Sequence, residues 1–271
     1  MPHEAAIRLG FFLGFFVLLA TCELLAPRRP LTTSKRLRWL GNLGVVSLNT
    51  ALVRLALPVL PVGMAVLAHE RGWGLLNSFP LPFWLAVAVG AVALDLAIYL
   101  QHVMFHAVPV LWRLHMVHHA DLDFDLTTGL RFHPVEIALS AGIKLATVYA
   151  LGPPALAVLV FEVALNATSM FNHSNLRLPL GLDGVLRLLV VTPDMHRVHH
   201  SVLIRETNSN FGFNFPWWDR LFGTYRAQPA AGHTGMVIGL SQFRDAGHLT
   251  LPWMLALPVV GQPGSYPIGR H

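Results

Sequence analysis

The chain has 271 residues, of which 54% are hydrophobic and 12% charged, with a formal net charge of +5 when the histidines are neutral. A soluble domain carries roughly 25% charged residues. This composition therefore excludes an ordinary soluble globule, and a single cysteine, Cys22, excludes both an intramolecular disulfide and a four-cysteine iron–sulfur cluster.

Long apolar runs set the organisation, since about 20 such residues span a bilayer. Ile7 to Ala26 is the first span. Leu19-Ala20-Thr21-Cys22 inside it resembles a lipoprotein cleavage site, but Thr21 suits cleavage poorly and a basic run follows, so the segment reads as a retained helix. Arg28, Arg29, Lys35, Arg36 and Arg38 come next and predict a cytosolic loop under the positive-inside rule. Positive charge placed beside membrane segments in this way is not the footprint of a nucleic-acid partner.

Leu40 to Ala68 predicts a second, kinked span, interrupted by Arg54, Pro58 and Pro61, with the loop from His69 to Ser78 outside. Phe83 to His106 predicts a third span returning to the cytosol. Val135 to Phe171 carries Gly152-Pro153-Pro154 near its middle and predicts a hairpin that enters the membrane and returns. Leu178 to Val191 is too short to span and is expected along the surface, and Leu251 to Val260 is a further short apolar patch. The expected fold is an all-α integral membrane bundle of four or five membrane segments. Its divisions are N-terminal membrane helices over 1–78, a catalytic unit over 79–225 and a C-terminal tail over 226–271.

The chain holds 15 histidines, and they are clustered. His102 and His106, four apart, share one helical face with Asp95 and Tyr99. His115, His118 and His119 repeat the spacing of His196, His199 and His200. In each triplet the first imidazole shares a face with the other two, so a triplet can offer two ligands to one metal and the third to its neighbour. His133 precedes Pro134 at a predicted helix start, His173 lies where the hairpin emerges, and both are candidate metal ligands, with a hydrogen bond to a ligating residue as the other reading. The topology, argued without the histidines, returns every cluster to one membrane face. Clustered imidazolium charges would repel unless a metal held the rings neutral. One tetrahedral zinc needs four ligands and a catalytic one three, so eight to ten histidines imply two metals. His3, His69, His233, His248 and His271 stand alone and read as surface or hydrogen-bonded residues. Asp194 and Asp219 read either as carboxylates orienting histidines or as helix caps and partners of Arg197 and Arg220. Trp217, Trp218, Phe222 and Tyr225 are expected at the membrane interface, with the lining of a lipid entrance as the other reading.

Together, His102xxxHis106, His115xxHis118His119 and His196xxHis199His200 resemble the three boxes of the fatty acid hydroxylase/sterol desaturase superfamily. Arg131-Phe-His-Pro-Val-Glu136, Asn172-His-Ser-Asn175, Thr192-Pro-Asp-Met-His196 and Trp218-Asp-Arg-Leu-Phe-Gly-Thr-Tyr225 agree, so the resemblance runs from about Asp95 to Tyr225. It implies a di-metal site, usually two iron ions, that uses O2 to hydroxylate or desaturate a lipid; the topology puts that site on the cytosolic side, and zinc can substitute because affinities at imidazole sites do not favour iron. It also implies an external electron donor of ferredoxin or cytochrome b5 type. Two rival classes weaken on inspection. A metal transporter would place its ligands near the bilayer midplane, and a zinc-dependent hydrolase would show a His-Glu-x-x-His helix and need fewer histidines.

Overall fold

The computed structural model describes residues 3–79 and 81–268, and His271 lies outside them. Four segments precede the core helix: α1 (Glu4–Leu25), α2 (Lys35–Ala56), α3 (Pro61–Arg71) and the short α4 (Leu75–Ser78). They are followed by α5 (Phe83–Ala107), α6 (Pro109–His119), α7 (Pro134–Leu151), α8 (Ala155–Asn172), α9 (Leu180–Leu186) and α10 (Pro193–His199). The last are α11 (Ile204–Thr207), α12 (Trp217–Leu221), α13 (Gly232–Gly235) and α14 (Leu251–Val260). Among the described residues no strand forms, only isolated bridges such as Pro27 with Leu176. Glu4–Leu25, Lys35–Ser78, Phe83–Ala107, Pro134–Leu151 and Ala155–Asn172 are long and apolar enough to cross a membrane, as an all-helical membrane bundle requires.

Local chemistry explains the boundaries. Proline stands in the first turn of α3, α6, α7, α10 and α14, where its missing N–H would be unpaired anyway. The expected kink in the second segment is a full break over residues 57–60. Leu57 and Leu60 each precede a proline, and both adopt extended backbone (ψ 117° and 164°) because the following ring disfavours the helical region. Gly152 ends α7 in the left-handed conformation, φ 62°, and turns the chain into α8, giving the hairpin.

Helix α5 packs on α6, α7 and α8; α3 packs on α7 and α8, and α1 lies along α8. Lipid-facing side chains such as Leu9, Phe11, Val17 and Trp84 are exposed. So are Leu180, Leu182 and Val185 on the surface helix α9. The region expected as a tail is integrated, in its described part, into the structure: Met254 and Leu257 of α14 and Tyr266 join Val45, Trp112 and Met116 in one buried cluster.

The basic loop after α1 is less free than a topology signal would be. Arg28 pairs with Asp194, and Arg29 donates to the carbonyl of Met236. Arg38 is fully buried, holding Asp121 through Nε (2.7 Å) and Nη2 (2.9 Å) and Asp125 through Nη1 (2.5 Å). Burial would raise the Asp121 carboxyl, but the Arg38 guanidinium outweighs it and holds that carboxyl down to about 2. This pair locks α2 to the loop that follows the α6 histidines. Removing one partner leaves an uncompensated buried charge, which costs about 3–5 kcal/mol. Arg38→Ala should therefore lower the unfolding midpoint in detergent markedly, while Arg36→Ala, at an exposed position, should leave it within error.

Candidate metal centre

The C-terminal end of α5 carries His102 and His106, and α6 presents His115, His118 and His119 across from them. His173 follows the last residue of α8, and α10 with its cap supplies His196, His199 and His200. These nine rings are buried and fall into two sets. His102, His106, His115, His119 and His199 form one; His118, His173, His196 and His200 form the other; potential ligand atoms within each set lie within 4.8 Å of one another. Each triplet is divided. The i,i+4 pair His115/His119 joins the first set and sends His118 to the second, whereas His196/His200 joins the second and sends His199 to the first.

Hydrogen bonds on the outer nitrogens decide what the inner nitrogens offer. A carbonyl oxygen can only accept, so Nδ1 must donate where it meets one. It does so from His102 to Phe211 (2.7 Å), from His118 to Arg131 (3.2 Å), from His173 to Ser169 (2.7 Å) and from His199 to Ser209 (2.7 Å). His115 Nδ1 meets the Glu136 carboxylate at 2.6 Å, and His106 Nδ1 meets Asn208 Oδ1 at 3.0 Å. Phe132 stacks on His118 at 4.4 Å between ring centroids. With the outer proton assigned this way, every such Nε2 is a bare lone pair pointing inward.

The inner nitrogens of the rings converge on one another. His102 and His115 Nε2 are 3.1 Å apart, His106 and His119 3.2 Å, and His173 Nε2 lies 3.1 Å from His118 and from His196 and 3.2 Å from His200. His199 Nε2 has no hydrogen-bond partner. Protons do not relieve the crowding. Burial pushes His115 and His173 down to about 3, and burial followed by neighbouring imidazoles holds His118, His119, His196, His199 and His200 well below the usual range. A cation does relieve it. With imidazole–metal bonds of about 2.0–2.1 Å, adjacent ligand nitrogens stand roughly 3.0 Å apart in an octahedron and 3.4 Å in a tetrahedron. The observed separations fit two metal ions, one per set.

The remaining candidates lie elsewhere. His133 is brought into neither set: its Nδ1 accepts from Val135 N at the start of α7, and its Nε2 faces the Leu255 carbonyl. Asp219 accepts from Phe211 N (2.8 Å) and Gly212 N (2.9 Å), steadying the segment whose carbonyl holds His102. Asp95 accepts from Asn214 and from Trp218 Nε1 (2.8 Å each), tying α5 to the aromatic segment without touching a histidine. Asp194 pairs with Arg28 and Arg197, with His233 at 3.5 Å. Trp217 is partly exposed and donates to the Leu188 carbonyl beside α9. His3 and His69 are exposed. Glu136, Asn208, Phe132 and Phe211 are the contributors that spacing did not single out. Glu136 and Phe132 stand in the Arg131–Glu136 motif, and the local Asn/aromatic run 208–215 was the available signal for the others.

A cavity of about 360 Å³ adjoins the first set, with His102, His115 and Glu136 in its wall. It is lined chiefly by α2, α5, α7 and α8, with Ile98, Phe105, Phe132 and Phe213 near the histidines.

A family model described as fatty acid hydroxylase matches residues 87–224. An ornithine lipid hydroxylase of Rhizobium tropici is 30% identical over 171 residues, covering 63% of this chain and 49% of the relative. An alkylglycerol monooxygenase of Xenopus tropicalis is 28% identical over 190 residues, 68% of this chain and 41% of the relative. A methylsterol monooxygenase of Arabidopsis thaliana is 27% identical over 170 residues, 61% and 63% respectively. The chain thus spans about half the length of the first two. No solved structure matches it.

A carboxylate on a ligating histidine fixes its ring and raises its basicity, and losing it typically costs about 10–100-fold in metal affinity. Glu136→Gln should weaken divalent-metal binding by about that factor in competition with a chelator. His133→Ala should instead cost about 1 kcal/mol of stability through the lost helix cap and leave metal affinity unchanged.

Proposed function

The chain belongs to the fatty acid hydroxylase family, and from that premise we propose that it is a membrane-bound, O2-dependent di-iron oxygenase that hydroxylates or desaturates a lipid. The observation that carries this reading is the pair of histidine sets whose unprotonated nitrogens stand at ligand-to-ligand spacing beside an apolar cavity. His102, His106, His115, His119 and His199 hold one ion; His118, His173, His196 and His200 hold the other. Iron is the metal, with zinc a substitute, because imidazole alone does not discriminate among divalent ions. Relatives named for ornithine lipid, alkylglycerol and methylsterol support a lipid as substrate.

Bound iron supplies the activation of O2 and the oxidation of a C–H bond. The protein's part is positioning and exclusion. Phe105, Phe132 and Phe213 make the cavity wall near His102 apolar, which seats hydrocarbon there and keeps water out. Glu136 and the carbonyls of Phe211, Arg131, Ser169 and Ser209 keep His115, His102, His118, His173 and His199 turned inward. An all-imidazole cage keeps the site more positive than carboxylate ligands would. We take residues 79–225 as the catalytic unit, the metal face as cytosolic, and the electron donor as a separate ferredoxin or cytochrome b5-like protein.

Protein purified with its metal intact should carry close to two iron ions per chain, and His118→Ala should lose both turnover and about one of the ions. A single tightly bound ion in the wild type, with a second that never fills, would sink the di-metal reading. Orientation is tested in a Cys22→Ala background. A cysteine at exposed Ser78 should react with an impermeant thiol reagent outside intact cells, and one at exposed Arg36 should react only after lysis. The reverse pattern would invert the topology.

A further inference from the structure

The cavity beside the histidines has a second, charged pole. Arg8 is the residue that α1 contributes to its wall, and Arg54, Lys144 and Glu162 line it as well. Glu162 is buried and accepts from Arg8 Nη2 at 2.5 Å and from Lys144 Nζ at 3.0 Å, while Arg8 Nε also pairs with Glu4 at 2.9 Å. Lys144 and Glu162 stand about three helical turns from the histidine level, on the order of 15 Å along their helix axes. Ionisable side chains are costly at such depth and mark ligand pathways when they face a cavity.

The pole is not self-neutral. Arg8, Arg54 and Lys144 face Glu4 and Glu162, which leaves one positive charge in excess. Arg54 has no ion-pair partner among the described residues and is exposed where the cavity opens. Arg8 Nη1 and two of the Lys144 protons have no bonded acceptor in the ion-pair cluster. The surplus is thus of donors as well as of charge, and it faces the same void whose other end is apolar. A neutral sterol or alcohol would leave these donors unmatched. A cationic headgroup would meet like charge.

We propose that this pole is a headgroup site. The cavity takes an amphiphile bearing an oxyanion, carboxylate or phosphate, docked on Arg54, Arg8 and Lys144, with its hydrocarbon chain laid along the cavity to the His102–His115 end. This rests on the lipid-oxidising reading of the metal centre. It adds that the substrate is anionic or zwitterionic at its head, and that oxidation falls on the chain at a distance from the head.

The test is binding, so it needs neither iron nor turnover and can fail independently of the oxygenase assignment. Palmitate, hexadecyl phosphate, hexadecanol and hexadecylamine share one chain length and compete for a fluorescent fatty-acid probe on the zinc-loaded protein in detergent. A hydrogen bond to a charged group contributes enough for a tenfold preference. Palmitate or hexadecyl phosphate should bind at least about tenfold tighter than hexadecanol, and hexadecylamine weakest. Their ranking against each other tells which oxyanion the pole is shaped for. Arg54→Gln should remove most of the preference while leaving hexadecanol affinity and zinc content unchanged, and Arg54→Lys should restore part of it. Lys144→Met provides a second reading of the same loss. Equal affinity for hexadecanol and palmitate in the wild type, or an unchanged preference in both Arg54→Gln and Lys144→Met, overturns the headgroup site and leaves the metal centre unaffected.

Discussion

Nine imidazoles share one buried volume, and the electrostatics of that crowding governs the structure around it. In water a histidine relieves repulsion by titrating or turning away. Here burial holds the rings outside the membrane spans deprotonated, and carbonyls and carboxylates on the outer nitrogens forbid turning. The inner lone pairs of His102 and His115, and of His118 and His173, are left facing one another at 3.1 Å. Only a cation makes that arrangement favourable. Metal binding and folding of the centre are therefore one equilibrium, as they are wherever a preformed ligand set is absent from the unfolded chain.

Holding such a cage requires a frame that does not yield. Buried Arg38 grips Asp121 and Asp125 immediately after the α6 triplet. Asp123 between them accepts from both the backbone and the hydroxyls of Thr32 and Thr33. Arg197, inside the second triplet, pairs with Asp194, which also takes Arg28. The loop between α1 and α2 is thus stitched to both sides of the histidine region. Buried ion pairs of this kind are weak sources of net stability but strong determinants of which packing is allowed. Their placement next to the ligands fits that role.

How much of this was legible along the chain depends on range. Helical spacing of histidines and apolar runs are local patterns, so the spans, the hairpin at Gly152 and the two-to-one sharing within each triplet could be read directly. Arg38 was read as a topology charge because positive-inside reasoning counts residues without knowing their partners. Its partners lie more than eighty positions away, in an Asp-x-Asp-x-Asp run whose alternation looks like a solvated loop. Glu136 was visible as part of a helix start. Its bond to His115 depends on α6 lying against α7, which no local pattern encodes. His133 shows the reverse: the Pro134 signal for a helix start was correct, and the ring serves that start as its cap. The C-terminal segment looked like a tail because its apolar patch is short, yet ten residues suffice once α2 and α6 offer a face to pack on.

The position of the centre at helix ends follows from geometry and hydrogen bonding together. Packed helices stand about 8–10 Å apart, and one turn of each turns only a residue or two toward a shared point. Three spans cannot bring nine imidazoles to one level, so further chain must be inserted there. That chain is α6 and α10 with its cap, which carry six of the nine rings, together with the irregular run 208–215, and irregular backbone is tolerated only outside the hydrocarbon or within protein. The insertion solves a second problem at once. Carbonyls inside a helix are engaged by the residue four positions on, but those of Arg131, Ser209 and Phe211 lie outside regular helices and are free to accept Nδ1–H. Ser169 supplies the same service from the last turn of α8, where intrahelical pairing loosens. The features that orient the ligands are therefore available only where the spans stop. A centre so placed has the cavity between the helices on one side and the surface beyond the helix ends on the other.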